Sequence, residues 1–244
     1  MLFSEIVAPT IRELFIEKLT GMILSGQLKI GQRLPSEREL SEQLNVSKSI
    51  VHLGLEDMAR MGFVTVVPRS GSYVADYVQS GNLETLNALL KHSGGALGRD
   101  IQLSMIEMRD AIEGKALIRL AAHHTPADIA ELRSIVSDFA AAAVRGADNR
   151  ELGNLLAALH SRICALSGNR LFPLILNAFH DSARLLWEAC AEFRPKDVAV
   201  ADNLRLIELI SEGKGEEAAE FLSVNLANYM NNPLFLSSPE TTFK

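Results

Sequence analysis

Between Ser47 and His52 the chain carries two hydroxyls, an ammonium at Lys48 and an imidazole, with Ser49 among them; Arg69 follows in a Pro-Arg-Ser-Gly turn. These are groups that donate hydrogen bonds to phosphate oxygens and base edges, so the chemistry they suit is recognition of DNA. Catalytic arrangements are missing from the sequence. No phosphate-cradling glycine loop, nucleophile elbow or closely spaced metal-protease pair occurs, and His123-His124 sits at a helix end beside Thr125-Pro126. No catalytic residue is assigned, and the chain is not read as an enzyme.

The elements that must hold these groups are written around them. Ser36 precedes Glu39 by three residues, the spacing of a capping box, and Leu40 and Leu44 give the helix that follows one apolar face. After a break at Asn45-Val46, Ser47 caps a second helix in which Val51, Leu55 and Met58 recur at helical spacing, while Val46 and Ile50 tie the turn to the core. That leaves Ser47, Lys48, Ser49 and His52 at the end of a recognition helix. Beyond Gly62 the period turns extended through Phe63–Val67, Pro68-Arg69-Ser70-Gly71 reverses the chain, and Ser72-Tyr73-Val74 returns. The order helix, turn, helix, hairpin describes a winged helix-turn-helix with Arg69 at the wing tip.

Composition fits a two-part soluble protein. The 244 residues are 48% hydrophobic and 22% charged, enough apolar surface for two cores. Residues 1–78 hold 8 Lys+Arg against 9 Asp+Glu and the remainder 16 against 21, so there is no bulk basic footprint and DNA contact belongs at the N-terminal end. Cys164 and Cys190 both lie in apolar helical patterns. The start MLFSEIVAPTIRELF lacks the pattern of a signal peptide and no stretch is apolar enough to span a membrane, so a cytoplasmic location is expected.

From about Ser80 the pattern is helical and almost without strand signal. Helices are expected from Leu83 to Leu90, Ile101 to Ala122, Ile129 to Val144 with Thr125 as cap and Pro126 in the first turn, Leu152 to Leu166, Leu171 to Phe193, Val198 to Ile210 and Glu216 to Met230. Trp187, the sole tryptophan, belongs in the core or a pocket wall, and Phe179, Leu185 and Leu186 point the same way. The expected fold class is mainly α: a winged helix-turn-helix over 1–78, an all-α helical bundle over 79–232 and a mobile tail over 233–244.

The stretch LPSERELSEQLNVS, the helix after it and PRSGSYV resemble the DNA-binding domain of GntR-type bacterial transcription regulators, and GQLKIGQRLPSE extends the likeness to about residue 10. The resemblance implies DNA contacts from Arg38, Ser47, Lys48, Ser49 and His52, and from Arg69 and Gly71 of the wing. The family usually has Arg at the positions of Lys48 and His52, so its bidentate guanine contact does not carry over. EMRDAIEGKALIRLAA, HSRICALSGNRLFPLILNAF and NLRLIELISEGKGEEAAEFLSVNLANYM resemble the effector-binding and dimerisation domain of the FadR-like branch. SGNRLFPLILNAF and SGNLETLNALL look like its acyl-CoA-responsive members.

Many members of that branch hold a divalent metal with an Asp and a His one turn apart plus two later His. By position His160 keeps the first His, but Leu156, Asn203 and Asn225 replace the other ligands, so no metal and no resident cofactor is expected. The branch also places an inward arginine where this chain has Arg109. It is either an effector anchor or half of an internal ion pair, and the first is favoured. His160, His180, Asn203 and Asn225 would line the same space. The resemblance thus implies a homodimeric regulator, a repressor of a double-stranded DNA operator, released by a small anionic metabolite. A metal-dependent carboxylate sensor and an acyl-CoA-responsive regulator stay open as alternatives.

Overall fold

The computed structural model describes residues 9–92 and 99–231, together with their side chains apart from those of 90–92, 100–101, 180–182 and 185. The chain divides into two compact units that meet in sequence between Gly94 and Gly95. The tail expected to be mobile lies outside the described residues.

The first unit begins with α1 (Ile11–Leu24), whose start is fixed by Thr10 and Glu13 in a reciprocal capping box. Phe15, Leu19 and Ile23 recur at i, i+4 and i+8 and are all buried. Then come α2 (Glu37–Leu44) and α3 (Lys48–Arg60), joined by a tight turn. Ser36 and Glu39 form the expected capping box on α2, and Ser47 caps α3 by accepting from the Ile50 N–H. Asn45 makes the turn by adopting a left-handed conformation (φ 52°), and the Ser41 hydroxyl donates to the Val46 carbonyl at 2.6 Å.

β1 (Val64–Val67) and β2 (Gly71–Val74) form the antiparallel wing, with Val64 opposite Val74 and Val67 opposite Gly71. Residues 31–34 run along the outer side of β2, where the Leu34 N–H donates to Ser72 O and the Val74 N–H to Gln32 O. At the tip Arg69 has φ 63° and Gly71 φ 121°. Only glycine adopts the latter without strain. α4 (Tyr77–Ser80) is a single turn, and α5 (Leu83–His92) packs back on α1. The expected boundary after residue 78 thus falls ahead of a helix that belongs to the first unit. Asn82 donates to Arg60 O, Thr85 to Met61 O, and Glu84 pairs with Arg60. Phe15, Leu34, Leu40, Val51, Leu55, Met58, Phe63 and Val74 close one core.

The second unit is helical throughout its described residues: α6 (Arg99–His123), α7 (Pro126–Val144), α8 (Asn149–Leu166), α9 (Leu171–Ala178), α10 (His180–Phe193), α11 (Lys196–Ser211) and α12 (Gly215–Met230). Thr125 caps α7 with Pro126 in its first turn, as expected. One expectation is corrected: Leu171 to Phe193 is two helices. The Phe179 N–H reaches only three residues back, to Leu176 O, which tightens the chain into a turn of 3₁₀ type and ends α9. α6 packs on α12 and α8, α8 on α10 and α7, and α11 on α7 and α12. Gly153 lets α8 approach α10 closely, since a Cβ there would lie 2.9 Å from the backbone of Trp187 and Glu188. Among the described residues no helix is long and apolar enough to cross a membrane.

Candidate DNA-reading surface and helical cavity

On the first unit, the side chains named from the sequence share exposure. Arg38, Ser47, Lys48, Ser49, His52 and Arg69 are all exposed and Gly71 is half-buried. Ser47, Lys48 and Ser49 open α3, where the positive end of the helix dipole and free backbone N–H groups favour a phosphate. Arg38 lies 3.4 Å from Glu42, a solvent-screened pair that leaves the guanidinium available. Arg69 stands at the tip of the wing.

The acidic residues nearby divide into two kinds. Glu39 is held by Ser36 in the cap, which keeps its carboxyl below the usual value, and Asp57 lies 3.4 Å from both Arg12 and Arg60. Glu37 and Glu56, by contrast, flank His52: its Nδ1 is 2.9 Å from Glu37 Oε1 and its Nε2 3.4 Å from Glu56 Oε1. The hydrogen bond to Glu37, then the charges of Glu37 and Glu56, raise the His52 imidazole above its ordinary value. Arg33 was not singled out from the sequence. Its guanidinium lies beside Gly71, with Nε 3.2 Å from where a Cβ would stand, and adds positive charge at the tip end of the wing.

In the second unit a cavity of about 280 Å³ opens between α6, α8, α10, α11 and α12. Arg109, His160, Asn203 and Asn225 all border it, and so does Leu156; the side chain of His180 lies outside the described residues. Arg109 is 4% exposed and its Nε and Nη2 donate to the two oxygens of Glu113 at 2.7 and 3.2 Å. His160 Nδ1 lies 2.7 Å from Glu113 Oε2, a contact that assigns the proton to Nδ1 and turns Nε2 away from this pair. Burial acts to raise the Glu113 carboxyl, but Arg109 and His160 outweigh it and hold it at about 2. The Arg109 guanidinium lies 3.9 Å from the centre of the Trp187 ring, which also packs on His160 at 4.9 Å. Arg109 is therefore both a wall of the cavity and half of an internal ion pair.

A second guanidinium borders the cavity. Arg194, at the C-terminal end of α10, pairs through Nη2 with Asp202 of α11 and donates to Asn225 Oδ1 of α12 at 3.1 Å. Asn203 Nδ2 donates to Ala199 O within its own helix. The Cys190 thiol, also on the wall, is pushed up by burial to about 11 and is no nucleophile. These donors do not fit a metal: Leu156 cannot ligate, and Asn203 and Asn225 offer neutral amides where imidazole or carboxylate would be needed beside His160. Among the described residues no three His, Cys, Asp or Glu side chains converge as a metal site.

A winged helix-turn-helix that exposes Arg38, Lys48 and Arg69, followed in the chain by an all-helical unit with a cavity, is the architecture of a two-part DNA-binding regulator. Comparison with known proteins agrees. Residues 12–74 match the model of bacterial regulatory proteins of the gntR family and residues 104–228 match the FCD domain, so the chain belongs to the GntR family, in the group that carries the FadR C-terminal-like domain. It is 26% identical over 206 residues to the transcriptional regulator YcbG of Bacillus subtilis, covering 83% of this chain and 81% of that one. With the Glc operon transcriptional activator of Escherichia coli it shares 27% identity over 174 residues, 69% of this chain and 65% of the activator. The solved structure of Lar from Listeria monocytogenes shares the fold at a TM-score of 0.56 and 15% identity, covering 91% of this chain and 95% of that one. The protein is a DNA-binding transcriptional regulator of the GntR type with an FCD domain.

Proposed function

We propose that this regulator acts in the cytoplasm as a homodimeric repressor whose hold on a pseudo-palindromic operator is released by a small, anionic metabolite bound in the helical unit. The observation that carries this reading is the cavity between α6, α8, α10, α11 and α12, where two guanidinium groups and three asparagines converge on an otherwise largely apolar wall. The winged unit supplies DNA contact through Arg38, Ser47, Lys48, Ser49, His52, Arg69 and Gly71. Effector and dimer contacts belong to the helical unit. Binding shifts the population toward a state in which the two winged units no longer match adjacent half-sites. No turnover of the metabolite is expected.

The test is fluorescence anisotropy of the full chain with DNA from the promoter of its own gene, with and without metabolite fractions. Saturable, effector-reversible binding supports the reading. A double variant Lys48→Ala with Arg69→Ala that binds this DNA as the parent does would refute it.

A further inference from the structure

The cavity has two guanidinium groups, and they differ in what they leave free. In Arg109 both Nε and Nη2 are taken by one carboxylate, the side chain is 5% exposed, and a ring covers one face. Its partner Glu113 is itself held by His160. An incoming anion would have to pull apart a dry, bidentate pair and leave Glu113 charged without its strongest partner. Arg194 is different. Only its Nη2 is engaged, by Asp202 and Asn225, and its Nε and Nη1 have no partner among the described residues. Its side chain is 31% exposed and that of Asp202 24%, so Asp202 can move into water when displaced.

We infer that Arg194, and not Arg109, receives the charged end of the effector, and that the effector is a monocarboxylate whose acid group takes the place of Asp202. This rests on the reading of the cavity as an effector site. The exchange replaces one carboxylate on the guanidinium by another, so the charge around Arg194 stays matched while Asp202 regains its hydration. Asn225 already lends its Oδ1 to Arg194, which leaves its Nδ2 to donate to the acid. Most of the remaining wall, including Leu156, Trp187, Phe193, Leu206, Leu222 and Leu226, is apolar and asks for a hydrocarbon body, with Asn203, Asn228 and His160 as scattered polar groups. At about 280 Å³ the cavity lies just below the size of sites that hold drug-sized molecules, roughly 300–1,000 Å³, so it suits a small acid. The exchange is also regulatory. Arg194 ties the end of α10 to α11 through Asp202, and loss of that tie frees α11 to take another position.

Titration calorimetry on the full chain with sodium octanoate and with octanamide, isosteric molecules of equal non-hydrogen atom count, tests this directly. The acid should bind and the amide about tenfold or more weakly, the worth of a charge-assisted hydrogen bond. Asp202→Asn, which removes the internal competitor, should tighten octanoate about tenfold; Arg194→Gln should weaken it by at least as much, and Arg194→Lys should restore part of the loss. Melting curves of each variant check that it folds. Equal binding of acid and amide, or an Arg194→Gln protein that binds octanoate unchanged, overturns the role of Arg194 and leaves the cavity as a ligand site. If neither compound binds the parent or Asp202→Asn, the assignment of a monocarboxylate falls; if, beyond that, no metabolite fraction alters promoter binding, the effector reading falls with it.

Discussion

Replacing Glu113 by glutamine removes one charge and almost no volume, yet it should be among the most damaging single changes in the helical unit. The substitution leaves Arg109, 4% exposed, without the carboxylate that accepts from both its Nε and its Nη2, and takes the charged acceptor from His160 Nδ1. Breaking a buried pair from one side costs about 3–5 kcal/mol. The Glu113 carboxyl points the same way: Arg109 and His160 pull it from 4.5 down to about 2 against its burial, so the folded state favours its ionised form. For a unit of this size the loss corresponds to a fall in melting temperature of roughly 10 °C.

Trp187 makes the assay specific. It is the one tryptophan of the chain and lies in this cluster, 8% exposed and 3.9 Å from Arg109, so its emission follows the helical unit and not the winged one. Urea titrations of the full chain read at Trp187 should show the loss in Glu113→Gln and a smaller one in Arg109→Met combined with Glu113→Leu, where no charge is stranded. The pH dependence has a definite sign. Because the folded value lies below the unfolded one, the contribution is complete above about 4.5 and drains away as pH falls toward 2, and this decline should be missing from Glu113→Gln. A single variant that loses less than about 1 kcal/mol, or a double variant worse than the single, would refute the reasoning.

Other consequences can be checked in parallel. Lys48→Ala and Arg69→Ala should each weaken promoter binding across all sequences and lower the slope of log affinity against log salt by about 1, measured by anisotropy from 50 to 200 mM salt; an unchanged slope removes the residue from the phosphate-contacting set. Since Glu37 and Glu56 raise His52 above 6.5, it stays protonated past that pH, and promoter affinity should weaken as pH climbs through the raised value; His52→Gln should flatten the profile. Gly153→Ala sets a Cβ 2.9 Å from the backbone of Trp187 and Glu188, so it should cost about 1–3 kcal/mol and shift the Trp187 emission, with no effect on the winged unit followed by backbone amide exchange.

The reading elements of the first unit were legible because their determinants are local. Ser36 with Glu39, Ser47 ahead of Ile50, and the Pro-Arg-Ser-Gly reversal each act over three or four residues, and each stands in the structure as its spacing indicates. The Thr10–Glu13 box and the Phe15, Leu19, Ile23 stripe of α1 are equally local, written at three- and four-residue spacing in the sequence itself. The break at Phe179 had no such marker: Pro173, in the first turn of α9, marks its start and gives no sign of where it stops.

The cavity divides along the same line, and its two arginines fall on opposite sides of it. Position alone marks Arg109 as an inward arginine, and Glu113 one turn later is the spacing at which two side chains on a helix meet. What spacing cannot convey is that both groups are shut from water, where an ion pair passes from a marginal surface contact to a lock that resists exchange. Arg194 gives the opposite case. Its partners lie 8 and 31 residues away on two further helices, so only the packed bundle brings Asp202 and Asn225 to it. A sensor needs a bond that an incoming ligand can replace. By that criterion the partly exposed pair formed by tertiary packing is the better candidate for a switch, and the buried pair written into one helix is the frame that packs on Trp187 and His160 beside it.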